Sequence, residues 1–141
     1  MHAGMDTADN KQRVRYLYAE LSSGNTKPFI DCLAKDIRWT VIGTTKFSGT
    51  IEGKRNVVSK LFDRVAAELD GPTKTTIKNL IAEGEYVVVE SSGRVVTTAG
   101  KTYNNTYCEV LRFVDGELKE VTVYLDTALV NRVFGTGTTG D

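Results

Sequence analysis

The chain has 141 residues, and its 18 basic and 18 acidic side chains cancel to a formal charge of zero. That length holds one compact domain, and 40% hydrophobic residues with only two prolines suffice to pack a single core. Zero charge with no Lys/Arg run beyond a doublet argues against nucleic acid or an anionic membrane as partner, and the lone histidine, His2, leaves imidazole catalysis and zinc sites nothing to be assembled from.

The opening stretch, MHAGMDTADNKQR, has no continuous apolar run to serve as a signal peptide. No later segment approaches the ~18 apolar residues of a membrane span, so a cytoplasmic location without membrane contact is expected. Residues 1–8 read as a disordered tail. From Asp9 to Leu21, Val14, Leu17, Tyr18 and Leu21 recur at helical spacing, and Ser22-Ser23-Gly24-Asn25 stops the helix. A second short helix follows, with Thr26 as its N-cap, Pro28 in the first turn and Phe29, Ile30 and Leu33 on its inner face. Cys32 and Cys108 stand too far apart for a metal knuckle or a CxxC pair and read as free buried thiols.

Ile37, Trp39 and Val41 alternate with Arg38 and Thr40 as in a strand. The glycine-punctuated GTTKFSGTIEG between Gly43 and Gly53 lacks phosphate-loop spacing and reads as turns and a bent edge strand. A third helix runs from Lys54 to Leu69, with Val57, Val58, Leu61, Phe62, Val65 and Leu69 on one stripe, and Asp70-Gly71-Pro72 ends it. Four strands follow at roughly 74–82, 86–97, 102–114 and 117–126. A last amphipathic turn or two, from Thr127 to Phe134, is capped by Asp126, and residues 135–141 form a second disordered tail. Without βαβ alternation, the order predicts an α+β domain over residues 9–134: a curved antiparallel sheet with helices on its concave side.

Strand register decides which face holds the chemistry, because a one-residue slip exchanges the two faces. Three-residue loops closing on Gly100 and Gly116 pair Thr97 with Lys101 and Phe113 with Glu117. One face then collects Val87, Val89, Ser91, Gly93, Val95, Tyr107, Glu109, Leu111, Phe113, Val121, Val123 and Leu125, nearly all apolar. Glu109 is the exception. Buried among valines, its carboxyl has a raised pKa and can stay protonated as a hydrogen-bond donor. The competing reading makes Glu109 an exposed ladder residue, or the ion-pair partner of Arg38 or Arg94. The opposite face carries Val88, Glu90, Ser92, Arg94, Cys108, Val110, Arg112, Leu118, Glu120, Thr122 and Tyr124, a mixture suited to a homodimer interface or to solvent.

Several motifs carry a family likeness. The segments AELSSGN, WTVIG, FSGTIEGKRNVV, YNNTYCEVLRFVDGELKEV and YLDTALV resemble the ketosteroid-isomerase-related, SnoaL-like branch of the nuclear-transport-factor-2-like superfamily, over about residues 10–134. The resemblance implies a cone of curved sheet closed by three helices, an apolar pocket and frequent dimerisation. It also implies a range of activities, from double-bond isomerases, polyketide cyclases, dehydratases and epoxide hydrolases to members that only bind or scaffold. Ketosteroid isomerases pair an aspartate base with an oxyanion hole made by a tyrosine and a protonated aspartate. Glu109 falls at the protonated aspartate, Val41 at the base, and Leu17, flanked by Tyr16 and Tyr18, at the tyrosine. The acid of the epoxide hydrolases falls at Val123.

Two functions follow. One is a cofactor-independent isomerase, cyclase or dehydratase acting on a hydrophobic metabolite that bears a carbonyl or hydroxyl. In it Glu109 acts as acid or proton shuttle, and Tyr18 or Tyr107 stabilises an enolate-like oxygen. Leu17, Trp39, Val41, Phe62, Ser91, Asn105 and Val123 line its pocket, with Asn105 toward the rim and no metal. The other is a ligand-binding or dimeric scaffold domain of the same fold, favoured by the unmatched base positions.

Overall fold

The structure, a computed structural model, describes residues 7–136. His2 and the outer parts of both expected tails lie outside the described residues. Helix α1 (Thr7–Ser22) starts inside the stretch expected to be a tail, and Thr7 Oγ1 donates to the Gly84 carbonyl at 3.0 Å. It buries Val14, Leu17 and Tyr18, the face that the helical spacing predicts. Helix α2 (Lys27–Cys32) carries Pro28 in its first turn, but Thr26 makes no side-chain cap bond. Leu33 belongs to the next element, β1 (Leu33–Val41), rather than to the helix.

The bent edge strand is β2 (Gly49–Glu52). The third helix is built from α3 (Lys54–Val57), a π-helical turn (Val58–Phe62) and α4 (Asp63–Ala66), and it ends three residues before the expected Leu69, which instead bridges to Thr97. Strands β3 (Lys74–Glu83), β4 (Tyr86–Val96), β5 (Thr102–Val114) and β6 (Glu117–Leu125) match the predicted spans closely. Helix α5 (Thr127–Phe134) closes the chain, and Asp126 Oδ1 accepts from Leu129 N at 3.2 Å as a true N-cap. None of the described helices is long and apolar enough to cross a membrane. Cys32 and Cys108 are free and half-buried.

The α+β architecture holds, with a six-stranded sheet in the order β2-β1-β6-β5-β4-β3. One pairing departs from the all-antiparallel expectation: β1 runs parallel to β6. Everything from β2 to β5 lies between them in sequence, so the long connection that a parallel pair needs is available. Register shifts in β1, β3 and the β5–β6 ladder bend the sheet around its helices. Helix α1 packs on β3 and β4, α3 on β1 and β2, and α5 on β5.

The first glycine loop is as expected. Thr97 N donates to the Lys101 carbonyl at 2.8 Å, and Gly100 sits at φ 81. The second is not: Val114 pairs with Glu117 across a two-residue turn in which Asp115 and Gly116 both have positive φ. A turn of that length would send Val121 and Val123 outward. A bulge between Leu118 and Glu120 restores the phase, so Leu111 pairs with Val121 and Glu109 with Val123. The inward set is therefore right although the Phe113–Glu117 pairing is wrong. Leu118, expected on the outer face, is wholly buried opposite Phe113.

Candidate functional site

The core is dense at one end of the cone and open at the other. Leu33, Ile37, Leu111, Phe113, Leu118 and Val121 fill the first end. At the second, side chains of β1, β4, β5 and β6 face α1, α2 and α4 across a cavity of about 500 Å³. Aromatic rings bound it on two sides. Phe29 and Phe62 stand edge-on to Trp39 at 6.0 and 5.0 Å, and Phe134 of α5 meets Phe47 and Tyr103 at 5.3 and 4.8 Å.

Glu109 projects from β5 into this cavity. Tyr18 Oη donates to its Oε1 at 2.6 Å, and no other hydrogen bond to the carboxyl is present among the described residues. Neither arginine proposed as its partner is near: Arg38 pairs with Glu52 at 2.9 Å, and Arg94 is exposed on the opposite face. Burial raises the Glu109 pKa above its ordinary value, and the Tyr18 bond opposes that rise only in part. Tyr18 is pushed well above the usual tyrosine range, first by burial and then by the Glu109 charge. The pair thus resists ionising at either member. A carboxyl held this way can give a proton to an oxygen in the cavity or take one from a carbon beside it.

Tyr107 lies two residues along the same face, and its pKa is raised by burial and, less, by the neighbouring Tyr103. Gly93, on the facing strand, leaves space for its ring. A Cβ there would come within 3.3 Å of Tyr107 Cε2 and 2.7 Å of Thr73 Cγ2. Trp39 lines the cavity, and its indole Nε1 is buried without a hydrogen-bond partner among the described residues. Leaving such a donor unpaired costs about 1–3 kcal/mol.

Of the residues expected here, Glu109, Tyr18, Tyr107, Trp39, Val41, Phe62, Ser91 and Val123 all border the cavity. Leu17 does not; it packs into the apolar core. Asn105 is not at a rim facing ligand either, because its amide is fully engaged. Its Oδ1 accepts from Thr106 N (2.7 Å) and Asp126 N (3.1 Å), and its Nδ2 donates to Tyr103 Oη (3.0 Å) and the Asp126 carbonyl (3.2 Å).

Two residues escaped the sequence reading. Tyr103 follows from the same alternation that found Tyr107, carried four positions back toward the start of the strand. Asp63, exposed at the mouth of the cavity, stands where the π-helical turn gives way to α4. An inserted turn of that kind has no periodic signature from which to place it.

Comparison with known proteins agrees with this geometry. The model of the SnoaL-like domain matches residues 14–121, which run from α1 into β6. No curated protein matches the sequence. Among solved structures, an NTF2-like protein of unknown function from Burkholderia pseudomallei is 25% identical with a TM-score of 0.78, over 87% of this chain and 95% of that one. A putative isomerase from Rhodopseudomonas palustris shares the fold at 17% identity and a TM-score of 0.70, covering 86% and 93% of the two chains. An epoxide hydrolase from Mycobacterium tuberculosis does so at 17% identity and a TM-score of 0.72, covering 92% and 90%. With the matched region spanning most of the cone and its cavity, the chain belongs to the SnoaL-like domain family.

Proposed function

We propose that this protein binds a small hydrophobic molecule in the cone and acts on it, without a cofactor, as an isomerase, cyclase or dehydratase. The observation that carries the reading is Glu109: a carboxyl turned into a cavity of about 500 Å³, its single hydrogen bond coming from Tyr18 at 2.6 Å. Burial raises its pKa and so favours the neutral acid over the carboxylate. Set against a ligand carbonyl, the acid polarises it. Set against a hydroxyl, it assists departure of water. As carboxylate it accepts a proton from the carbon beside a carbonyl and returns it elsewhere, so no net proton is consumed.

The Tyr18 proton is committed to Glu109, which makes Tyr18 a holder of the carboxyl rather than the donor to an enolate-like oxygen. The unpaired indole N–H of Trp39 supports an occupied cavity, since a ligand acceptor would offset its desolvation. Titration of the Glu109 carboxyl by infrared or carbon NMR, with Glu109→Gln to assign the signal, tests the reading. A pKa clearly above 4.5 is expected, and an ordinary value would overturn it.

Val41 and Val123 occupy the family's base positions and line the same cavity, which favours a second reading in which the domain only binds its ligand. Turnover of none of the carbonyl compounds that bind would select it. In either case we place the protein in the cytoplasm, a reducing setting that suits two free thiols. We also pair it with a second copy through the outer sheet face, where Ile81, Val88 and Val110 lie side by side across three strands and Ile81 is 54% exposed. A monomeric mass in sedimentation at micromolar concentration would exclude that dimer.

A further inference from the structure

The hydrogen bonds around Asn105 fix more than the start of α5. Its Oδ1 takes two backbone N–H groups, those of Thr106 and Asp126, so the amide can face only one way. Its Nδ2 is thereby aimed at the Tyr103 hydroxyl oxygen at 3.0 Å. That hydroxyl accepts from Asn105 and keeps its own proton. Among the described residues no hydrogen bond from the Tyr103 hydroxyl to an acceptor is formed, while its ring borders the cavity against Phe134.

Distance along the strand gives this arrangement its meaning. Tyr103 and Glu109 lie on one face of β5, six residues apart, which is about 20 Å of strand at ~3.3 Å per residue. The cavity spans both. The cavity's walls are mostly apolar, with Val123 and Leu125 of β6 and Leu61 among them.

We propose that Tyr103, its hydroxyl directed by Asn105, is a second ligand anchor remote from Glu109, and that the cavity selects elongated, mostly apolar molecules with a hydrogen-bond-accepting oxygen toward each end. Glu109 meets the oxygen at one end, and Tyr103 donates to the other. Asn105 is a positioning residue that never touches the ligand. The inference rests on the cavity being a small-molecule site, and its test separates the two.

Rigid aromatic ketones of two lengths serve as probes: 2-acetylnaphthalene against 2,6-diacetylnaphthalene, and 4-acetylbiphenyl against 4,4′-diacetylbiphenyl. Binding is read by quenching of Trp39, the one tryptophan of the chain, which lies in the cavity wall. In the wild type the diketone of at least one pair binds about tenfold tighter than its monoketone, as one added hydrogen bond allows, against the statistical factor of about two. Tyr103→Phe keeps the ring and removes the hydroxyl. It lowers the ratio to about two. Asn105→Asp retains the oxygen that takes the two backbone N–H groups and turns the donor into an acceptor. It draws the phenol proton away from the cavity and lowers the ratio with the phenol in place.

A ratio near two for both lengths in the wild type overturns the second anchor while leaving the cavity reading intact, and so does a ratio that Tyr103→Phe does not change. A ratio unchanged by Asn105→Asp alone overturns the positioning role of Asn105. No quenching by any of the four ketones overturns the cavity reading and the anchor together.

Discussion

Strand β5 passes through two different interiors. At Phe113 and Leu111 its inward side chains are locked among Leu118, Val121 and Val87, all wholly buried or nearly so. Two and four residues earlier, Glu109 and Tyr107 keep the same direction but meet open space. Alternation assigns both pairs to the inner face and cannot say whether that face is filled. Filling depends on what other elements bring. Leu33 and Ile37 of β1 and Val14 of α1 reach the first region, whereas the rings of Phe29 and Phe62 stand back from the second and leave room for polar groups. One end of the cone is thus closed by packing, and the other holds the open space and its polar groups.

The largest effect that follows is at the packed end. Phe113→Ala should cost about 3–5 kcal/mol in denaturant unfolding, since neighbours on every side prevent collapse of the void. A finer comparison uses one residue type on one strand. Val121→Ala should cost roughly 2–3 kcal/mol, because its two lost methyl groups leave a hole in a close-packed layer. Val123→Ala, which only enlarges a space already present, should cost less than about 1.5 kcal/mol. Equal losses at the two valines would mean that the cavity is closed by packing in solution.

The second comparison is electrostatic. The folded-state pKa of Glu109 lies above its unfolded value, so the native state holds the proton more tightly. Below the ordinary value of 4.5 both states are protonated, and Glu109 gives no pH dependence. As pH rises from there, the unfolded chain releases its proton first. Stability falls until the folded-state pKa is passed and then levels off. Glu109→Gln should remove that decline, so the variant gains on the wild type as pH rises above 4.5 in chemical unfolding. Tyr18→Phe should move the titration further upward, because the lost bond is the one that stabilises the carboxylate. A downward shift would reverse the assignment of donor and acceptor.

How much of this could be read from the chain varies with the kind of pattern. Long strands with clean alternation, β4 and β5, were legible in span and in facing, and with them the direction of Glu109. The β5–β6 turn was not. Asp115-Gly116 fits a two-residue or a three-residue loop equally well, and the choice rests on whether Leu118 finds a place beside Phe113, which is a tertiary matter. The parallel pairing of β1 with β6 joins segments distant in sequence, and no local periodicity encodes it. Asn105 showed its inward direction through alternation, but its partners are backbone groups of residue 126, on another strand's end, which no residue pattern announces.

The smallest effect concerns the helix that covers the open end. Asp126 caps α5 through Oδ1, while its backbone N–H and carbonyl bond to the Asn105 amide. Asp126→Ala removes the first interaction and keeps the other two, so the loss should be about 1 kcal/mol and confined to the first turn of α5. Hydrogen exchange should quicken at Leu129 N, whose acceptor is gone, and stay unchanged at the amides of Leu111 and Val121 in the packed end. Ligand affinity should fall only slightly, because Tyr103 is held from its own strand by Asn105 and not by the cap. Uniform acceleration across β5 and β6 would show instead that the two ends of the cone open as one unit, and that the division between a packed end and an open end is not also a division in dynamics.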